Sequence, residues 1–185
     1  WAADVLRPVY ERTRGADGFV SIEVSPHLAY DTTETIEEGL RLFEAVGRDN
    51  LMVKVPATPE GIPAIERLIG SGVNVNVTLL FSVETYEEVA EAYMAGLEKL
   101  VASGKNPAMV ASVASFFVSR IDTAIDKILD ERLATASSSE VREKIEATRS
   151  EVAIANAKLA YRAFADLIGS PRWKKLEERG ARPQR

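Results

Sequence analysis

The sequence predicts an α/β protein that forms part of a (β/α)8 barrel, or TIM barrel. Short β-branched segments alternate four times with helical segments, which is the pattern of βαβ units. The connections between them are short, so the strands should run parallel with right-handed crossovers. In the third of these segments every second residue is polar, so Asn74, Asn76 and Thr78 share one face of the strand and the valines share the other.

This polar face discriminates between three architectures. An open doubly wound sheet carries helices on both faces, so both faces of its strands should be apolar. An antiparallel sheet with one wet face would alternate in the same way, but the long helical segments between the strands argue against it. In a barrel the valines contact the outer helices and the polar side chains line the interior. We therefore expect four βα units of a barrel, forming a single domain over residues 1–185.

Turn residues and apolar periodicity define the predicted elements in chain order. Runs rich in β-branched residues predict strands at Phe19–Val24, Leu51–Val55, Val73–Thr78 and Ala108–Ser115. Apolar residues at helical spacing, with capping Ser, Thr or Asp before them and Gly after several of them, predict helices. These helices cover the first 14 residues, Thr35–Val46, Ile62–Ile69, Ser82–Ala102, Ser119–Ala134 and one long extra helix from the Ser137–Ser139 cap to Ile168. A short basic helix and an Arg-rich tail complete the chain.

Composition excludes several classes of function. A net charge of −5 and a pI of about 5.1 argue against a nucleic-acid-binding protein, which needs a basic face. The chain has no cysteine and one histidine, His27, which excludes thiolate and His-rich metal sites. No run approaches the roughly 20 apolar residues of a membrane span, and no secretory signal is present, so we expect a cytoplasmic protein. The chain begins at Trp1, which suggests that residues upstream are missing.

Lys54 is the most informative single residue, because valines flank it in the second predicted strand. Burial removes water from the charged amine, which lowers the pKa of a lysine and favours its neutral form. A neutral amine can attack a carbonyl group and form a Schiff base. Two alternatives remain open: a solvated lysine on an edge strand, and an amine that stays charged because it pairs with Glu23.

Other polar residues collect late in the same strands, where barrels have their active sites; with Lys54 they are Glu23, Asn76, Thr78 and Ser115. Arg120 follows at the start of the next helix, where a guanidinium beside free helix N–H groups suits a phosphate. Each residue also has a structural interpretation. Asn76 and Thr78 could hold the sheet together, Ser115 could be a small packing residue, and Arg120 could lie on the helix surface.

Four segments together resemble the transaldolase family. They are Glu23–Pro26, Leu51–Thr58 with Glu60–Ile62, Asn76–Ser82 and Ser115–Ile121. The resemblance covers most of the chain in consistent order, and the lysine strand and the Asn-x-Thr-Leu-Leu-Phe-Ser motif are specific. It implies a class I aldolase-like transferase on a (β/α)8 barrel, without cofactor or metal. Such an enzyme moves a dihydroxyacetone unit from a ketose phosphate (sedoheptulose 7-phosphate or fructose 6-phosphate) to an aldose phosphate, in the pentose phosphate pathway.

The resemblance also implies catalytic roles. Lys54 is similar to the lysine that forms the Schiff base. Glu23 resembles the acid that works through a bound water molecule, and Thr78 resembles the residue that helps to hold this water.

Four further residues match substrate-binding positions of the family. Asn76 resembles the residue that binds the hydroxyl groups of dihydroxyacetone. Ser115 and Arg120 match donors to the substrate, Arg120 to its phosphate. Phe117 matches an aromatic residue beside the pocket.

The resemblance implies that this chain runs from a helix before the third strand of the barrel to a point before the seventh strand, so that the first two and the last two strands are absent. The first strand, with an aspartate general acid and base, has no counterpart here, nor does the phosphate-binding strand after residue 185. We therefore expect little activity from these residues alone, and pairing of the open sheet edges with another copy or with the missing segments. A fructose-6-phosphate aldolase and a non-catalytic half-barrel scaffold are the alternatives. The long 137–168 segment favours transaldolase.

Overall fold

The structure, a computed structural model that describes residues 1–185, contains one four-stranded parallel sheet. The strands are adjacent in chain order, and every connection contains a helix, as in consecutive units of a barrel. The strands are β1 (Val20–Glu23), β2 (Leu51–Pro56), β3 (Val75–Leu80) and β4 (Ser112–Phe116). The predicted fold class, a partial (β/α)8 barrel, is confirmed.

Eight α-helices accompany the sheet: α1 (Ala2–Arg12), α2 (Thr32–Val46), α3 (Gly61–Ser71), α4 (Val83–Ala102), α5 (Ser119–Thr135), α6 (Ser139–Thr148), α7 (Val152–Gly169) and α8 (Pro171–Glu177). Short 3-10 turns occur at Pro26–Leu28 and Pro107–Met109. The predicted caps explain several boundaries. The Asp31 side chain accepts from the Glu34 N–H, Ser82 accepts from the Thr85 N–H, and Gly47 ends α2 in the left-handed conformation.

The core lies between the outer face of the sheet and the helices α3 and α4. The valines of β2 and β3 that point outward are fully buried: Val53, Val55, Val75 and Val77. Gly96 lets α4 approach α3 closely, because a Cβ atom there would lie 2.7 Å from the carbonyl oxygen of Glu66. Burial of large side chains on this face contributes about 1.5–3 kcal/mol each, so this layer carries much of the stability.

The predicted long helix over 137–168 is wrong, because the structure divides it into α6 and α7. Arg149 leaves the helical conformation, and Ser150 adopts a positive φ of 59°. The carboxylate of Asp126 on α5 accepts from both the backbone N–H and the hydroxyl of Ser150, each at 2.9 Å. A contact from a distant helix therefore stabilises the break, and helical periodicity does not report it.

The fourth strand is shorter than predicted at its start. Pro107 opens a 3-10 turn, and the Asn106 side chain accepts from the Ala108 N–H. β4 therefore begins at Ser112 rather than at residue 108. β3 runs further than predicted, to Leu80, through a register irregularity after Val77.

The C-terminal residues return to the sheet. The backbone of Arg185 lies beside β4, donating to the Ser112 carbonyl (3.0 Å) and accepting from the Ala114 N–H (2.5 Å). The guanidinium of Arg182 donates to the carbonyl of Gly15, in the loop between α1 and β1. The tail thus connects the β4 edge with the loop that precedes β1. No helix of this fold has both the length and the hydropathy that crossing a membrane requires.

Candidate active site

Three of the predicted site residues lie at one level of the sheet. The strand register pairs Glu23 with Lys54 and Lys54 with Asn76. The amine of Lys54 lies 2.5 Å from Oε1 of Glu23, and the two side chains are 30% and 62% exposed. Lys54 therefore does not point away into bulk water, and its geometry is that of an ion pair with Glu23. The neutral amine expected from the sequence stays a prediction.

Asn76 is held between two serines. Its Nδ2 donates to Oγ of Ser21 (3.1 Å), and the hydroxyl of Ser115 donates to its Oδ1 (2.9 Å). Ser21 lies on β1 and Asn76 on β3, and alternate strands share one layer of side chains inside a barrel. The structure thus brings Asn76 and Ser115 together, as the sequence predicts, and adds Ser21.

Arg120 and Phe117 form a second group at the end of β4. The guanidinium carbon of Arg120 lies 4.8 Å from the centroid of the Phe117 ring, a cation–π contact. Phe117 also stacks on Phe81, with 5.1 Å between ring centroids. Arg120 lies in the first turn of α5, whose N-cap residue Val118 makes no side-chain capping bond. Free helix N–H groups and a guanidinium thus lie at the same helix end.

Thr78 precedes a backbone irregularity. Leu79 adopts a positive φ of 62°, which is unusual for a residue other than glycine, and Leu80 is fully buried again. The bulge breaks the alternation of polar and apolar residues that the sequence shows up to Thr78. Thr78 itself is 7% exposed, and its carbonyl accepts from the N–H of Ala57 at the end of β2. Such strained positions concentrate at functional sites.

Asn74, which shares the predicted polar face, has a structural role. Its Nδ2 donates to the carbonyls of Asp49 and Leu51, and its Oδ1 accepts from the N–H of Ala111. The side chain joins the amino ends of β2, β3 and β4, whereas Lys54 lies toward the carboxyl end of β2.

A cavity of about 570 Å³ lies between the tail and the inner face of the strands. Ser21, Met52 and Asn76 line it on the strand side, and Arg182 and Gln184 line it on the tail side. The inner face of the sheet is therefore accessible on the amino-terminal side of Lys54, at Ser21 and Met52. No group of three or more His, Asp or Glu side chains in the structure has the arrangement of a metal site.

Two contacts near Phe117 and Arg120 are not predicted by the sequence. Phe81 supports Phe117, and the Asn156 side chain on α7 donates to the Phe81 carbonyl at 2.8 Å. Phe81 belongs to the Asn76–Ser82 motif, which was a signal that it lies near the site. No local pattern marks Asn156, because its contact depends on where α7 begins after the break at Ser150.

The parallel βα units and the polar groups at the carboxyl ends of the strands define part of an α/β barrel. The sequence matches the transaldolase/fructose-6-phosphate aldolase family over residues 1–177, and the chain belongs to this family. Relatives named transaldolase include those of Trichodesmium erythraeum, 53% identical over 184 residues, and Thermobifida fusca, 51% identical over 185 residues. Each match covers 100% of this chain and 48% of the relative. The chain therefore spans about half the length of the curated relatives it matches.

Proposed function

We propose that this chain carries the Schiff-base lysine of a transaldolase, and that Lys54 forms the imine with a ketose phosphate. The observation that carries the proposal is the amine of Lys54, 2.5 Å from the Glu23 carboxylate at the level of Asn76. A carboxylate at this distance can accept the proton that the amine loses before it attacks. Family membership and relatives named transaldolase support the same chemistry.

The reaction that we propose begins with attack of the Lys54 nitrogen on the ketone carbon. A C–N bond forms, the carbonyl oxygen leaves as water, and a protonated imine remains. The neighbouring C–C bond then breaks, and its electron pair moves toward the imine nitrogen while the aldose fragment leaves as an aldehyde. The three-carbon unit stays on the lysine until an acceptor aldose phosphate takes it up. A water molecule held by Glu23 and Thr78 would supply and receive the protons that the Lys54 nitrogen and the departing carbonyl oxygen exchange.

Substrate binding follows from the two other groups. The amide of Asn76 has donor and acceptor capacity beyond its bonds to Ser21 and Ser115, which suits the hydroxyl groups of dihydroxyacetone. Arg120 at the uncapped start of α5 suits the phosphate. Phe117 holds the guanidinium from one side. No cofactor or metal enters this scheme, and we propose a cytoplasmic setting, with which the absence of cysteine is compatible.

C–C cleavage also requires a base that takes the proton of the departing hydroxyl group. In the scheme above no residue of this chain fills that role, so we propose that these 185 residues alone turn over slowly or not at all. Further strands would pair at the edge of β1 and at the part of the β4 edge beyond the two hydrogen bonds to Arg185. We therefore propose self-association or pairing with further barrel segments. A stable monomer in sedimentation velocity, with a cooperative unfolding transition, would contradict this part.

Borohydride trapping tests the lysine directly. Reduction in the presence of fructose 6-phosphate should attach sugar carbon to Lys54, and Lys54→Ala and Lys54→Arg should both abolish the label, since arginine stays protonated. A folded chain without label at Lys54 contradicts the proposal and favours a scaffold.

The family description also names fructose-6-phosphate aldolase, which shares the imine and lacks the transfer to an acceptor. Release of free dihydroxyacetone at the same rate with and without an acceptor aldose phosphate would favour that second function.

A further inference from the structure

Arg120 forms none of the ion pairs of the structure, and its one defined side-chain contact is with the ring of Phe117. An exposed arginine without a partner samples many rotamers, and ordering it on binding costs entropy. A guanidinium that already rests on an aromatic ring has lost part of this freedom before the ligand arrives. The position of the Phe117 ring therefore matters for the position of the charge.

Phe117 lies on the short connection between β4 and α5, and two contacts define its place. Its backbone N–H donates to the carbonyl of Leu80 (2.8 Å), which extends the pairing of β4 with β3. Its ring stacks on Phe81 with a centroid distance of 5.1 Å and an angle of 27° between the planes. The backbone contact fixes where the residue is, and the ring of Phe81 restricts how the Phe117 ring turns.

Phe81 is in turn attached to a different helix. Its carbonyl accepts from Nδ2 of Asn156 at 2.8 Å, one turn into α7. Asn156 reaches this carbonyl because α7 starts afresh after the left-handed Ser150. Contacts thus run from α7 through Phe81 and Phe117 to the guanidinium of Arg120.

We propose that Phe81 is a positioning residue for Arg120: it holds the Phe117 ring so that the guanidinium is presented to the phosphate of the substrate. Asn156 supports the same arrangement through its hydrogen bond to the Phe81 carbonyl. The inference rests on the proposed function for its phosphate ligand. It assigns to Phe81 a role in selecting phosphorylated over unphosphorylated ketoses, while the imine chemistry at Lys54 stays independent of it.

Phe81→Leu and Phe81→Tyr form a matched pair, because leucine keeps apolar bulk without a ring and tyrosine keeps the ring. Protons above an aromatic face resonate upfield, so the Nε–H of Arg120, assigned with Arg120→Lys, should be shifted upfield in the NMR spectrum of the full chain. Phe81→Leu should move this resonance toward its ordinary position, Phe81→Tyr should leave it in place, and Asn156→Ala should move it by a smaller amount. Thermal unfolding verifies that each variant is folded.

A second experiment tests function by comparing borohydride trapping at Lys54 by fructose 6-phosphate with trapping by fructose. Loss of one exposed cation–π arrangement corresponds to roughly a two- to fivefold change in binding, so Phe81→Leu should lower the preference for the phosphorylated sugar by this factor. Trapping by dihydroxyacetone should not change.

The outcomes separate the two proposals. An unshifted Arg120 resonance in the wild-type chain, or one that Phe81→Leu leaves unchanged, overturns the role of Phe81. If no sugar labels Lys54, the proposed function fails, and titration with inorganic phosphate then decides about Phe81. Binding that perturbs the Arg120 resonance and weakens in Phe81→Leu supports the role, and equal binding by both proteins contradicts it.

Discussion

The two faces of β2 and β3 differ in almost every property. On the outer face Val53, Val55, Val75 and Val77 are fully buried against the helices. On the inner face Lys54 and Asn76 are partly exposed, and their contacts are ion pairs and hydrogen bonds. Because neighbouring residues of a strand point to opposite faces, one short segment serves both purposes. The outer face stabilises the fold, and the inner face is available for chemistry.

The helices show a similar difference. α3 and α4 contain many of the fully buried side chains, whereas α5 has no buried residue and α6 has one, Ile145. Local stability should follow this burial, so α5 and α6 should open more readily than α3 and α4. Substitutions on the two faces and in the two helix pairs can therefore separate stability from chemistry.

The largest expected effect on stability comes from the buried layer. Leu97→Ala removes a fully buried side chain from α4 and should lower the free energy of unfolding by about 2–5 kcal/mol. The control is Leu159→Ala on α7, where the side chain is 57% exposed and the change should stay below about 0.5 kcal/mol. Urea unfolding measures both. Equal effects of the two substitutions would contradict the division between buried and exposed regions.

A substitution on the inner face of the sheet should change the chemistry at Lys54 strongly and the free energy of unfolding little. Glu23→Gln removes the carboxylate that we propose accepts a proton from Lys54, and it should slow borohydride trapping by about a hundredfold, the lower end of what a positioned acid–base group contributes. The free energy of unfolding should change by no more than about 1 kcal/mol, because the ion pair is partly exposed. Trapping at the wild-type rate would show that Glu23 is only a counter-ion.

A smaller effect is expected where α8 meets α4. Arg172 pairs with Glu91 and Glu98, and the hydrogen bond from Arg172 holds the pKa of Glu98 below its usual value of 4.5. Since the folded-state pKa is lowered, this contribution is present above pH 4.5 and is lost as the pH falls through the folded-state pKa. Arg172→Met should lower the free energy of unfolding by up to about 1 kcal/mol at neutral pH.

The size of this difference should depend on salt and acid, because both weaken the ion pairs. Denaturant unfolding of the wild type and of Arg172→Met should converge in about 1 M NaCl, where screening is strong, and also when the pH falls well below the usual value for Glu98. A difference that persists under both conditions would mean that Arg172 acts through packing of its apolar stem.

The smallest effect at neutral pH concerns Tyr86, at the start of α4. Burial raises its pKa to about 12, because the charged phenolate would lose its water. The folded state then holds the proton more tightly than the unfolded state, so stability should fall as the pH rises from 10 to about 12. Tyr86→Phe should flatten this part of the profile. Tyr161→Phe, at an exposed position, should not, and similar profiles for both variants would contradict the assignment.

Much of this architecture follows from the sequence. Alternation placed Glu23, Lys54 and Asn76 at the carboxyl ends of parallel strands, and the strand register puts all three at one level. The capping residue Ser82 located the start of α4, whereas α2 begins at Thr32, before the predicted start at Thr35. These features depend on neighbours within one segment, which is why a single sequence reports them.

The features that the sequence did not predict depend on contacts between residues that are far apart in the chain. The break at Ser150 depends on Asp126 of another helix. Leu79 adopts the left-handed conformation although it is not a glycine, so its residue type does not predict this conformation. The structural role of Asn74 depends on the carbonyls of Asp49 and Leu51, at and just before the start of β2. The stack of Phe81 on Phe117 joins two strand ends that are separated in sequence. The catalytic and binding roles of the site residues stay predictions.

We propose that the inner face of the sheet holds one lysine that condenses with a ketose. The most direct measurement is the mass and position of the adduct after reduction of the folded chain with fructose 6-phosphate, mapped by peptide mass spectrometry. We expect a single modified residue, Lys54, with the surface lysines such as Lys144 unmodified. Label spread over several lysines, or absent from Lys54 while the chain is folded, would contradict it.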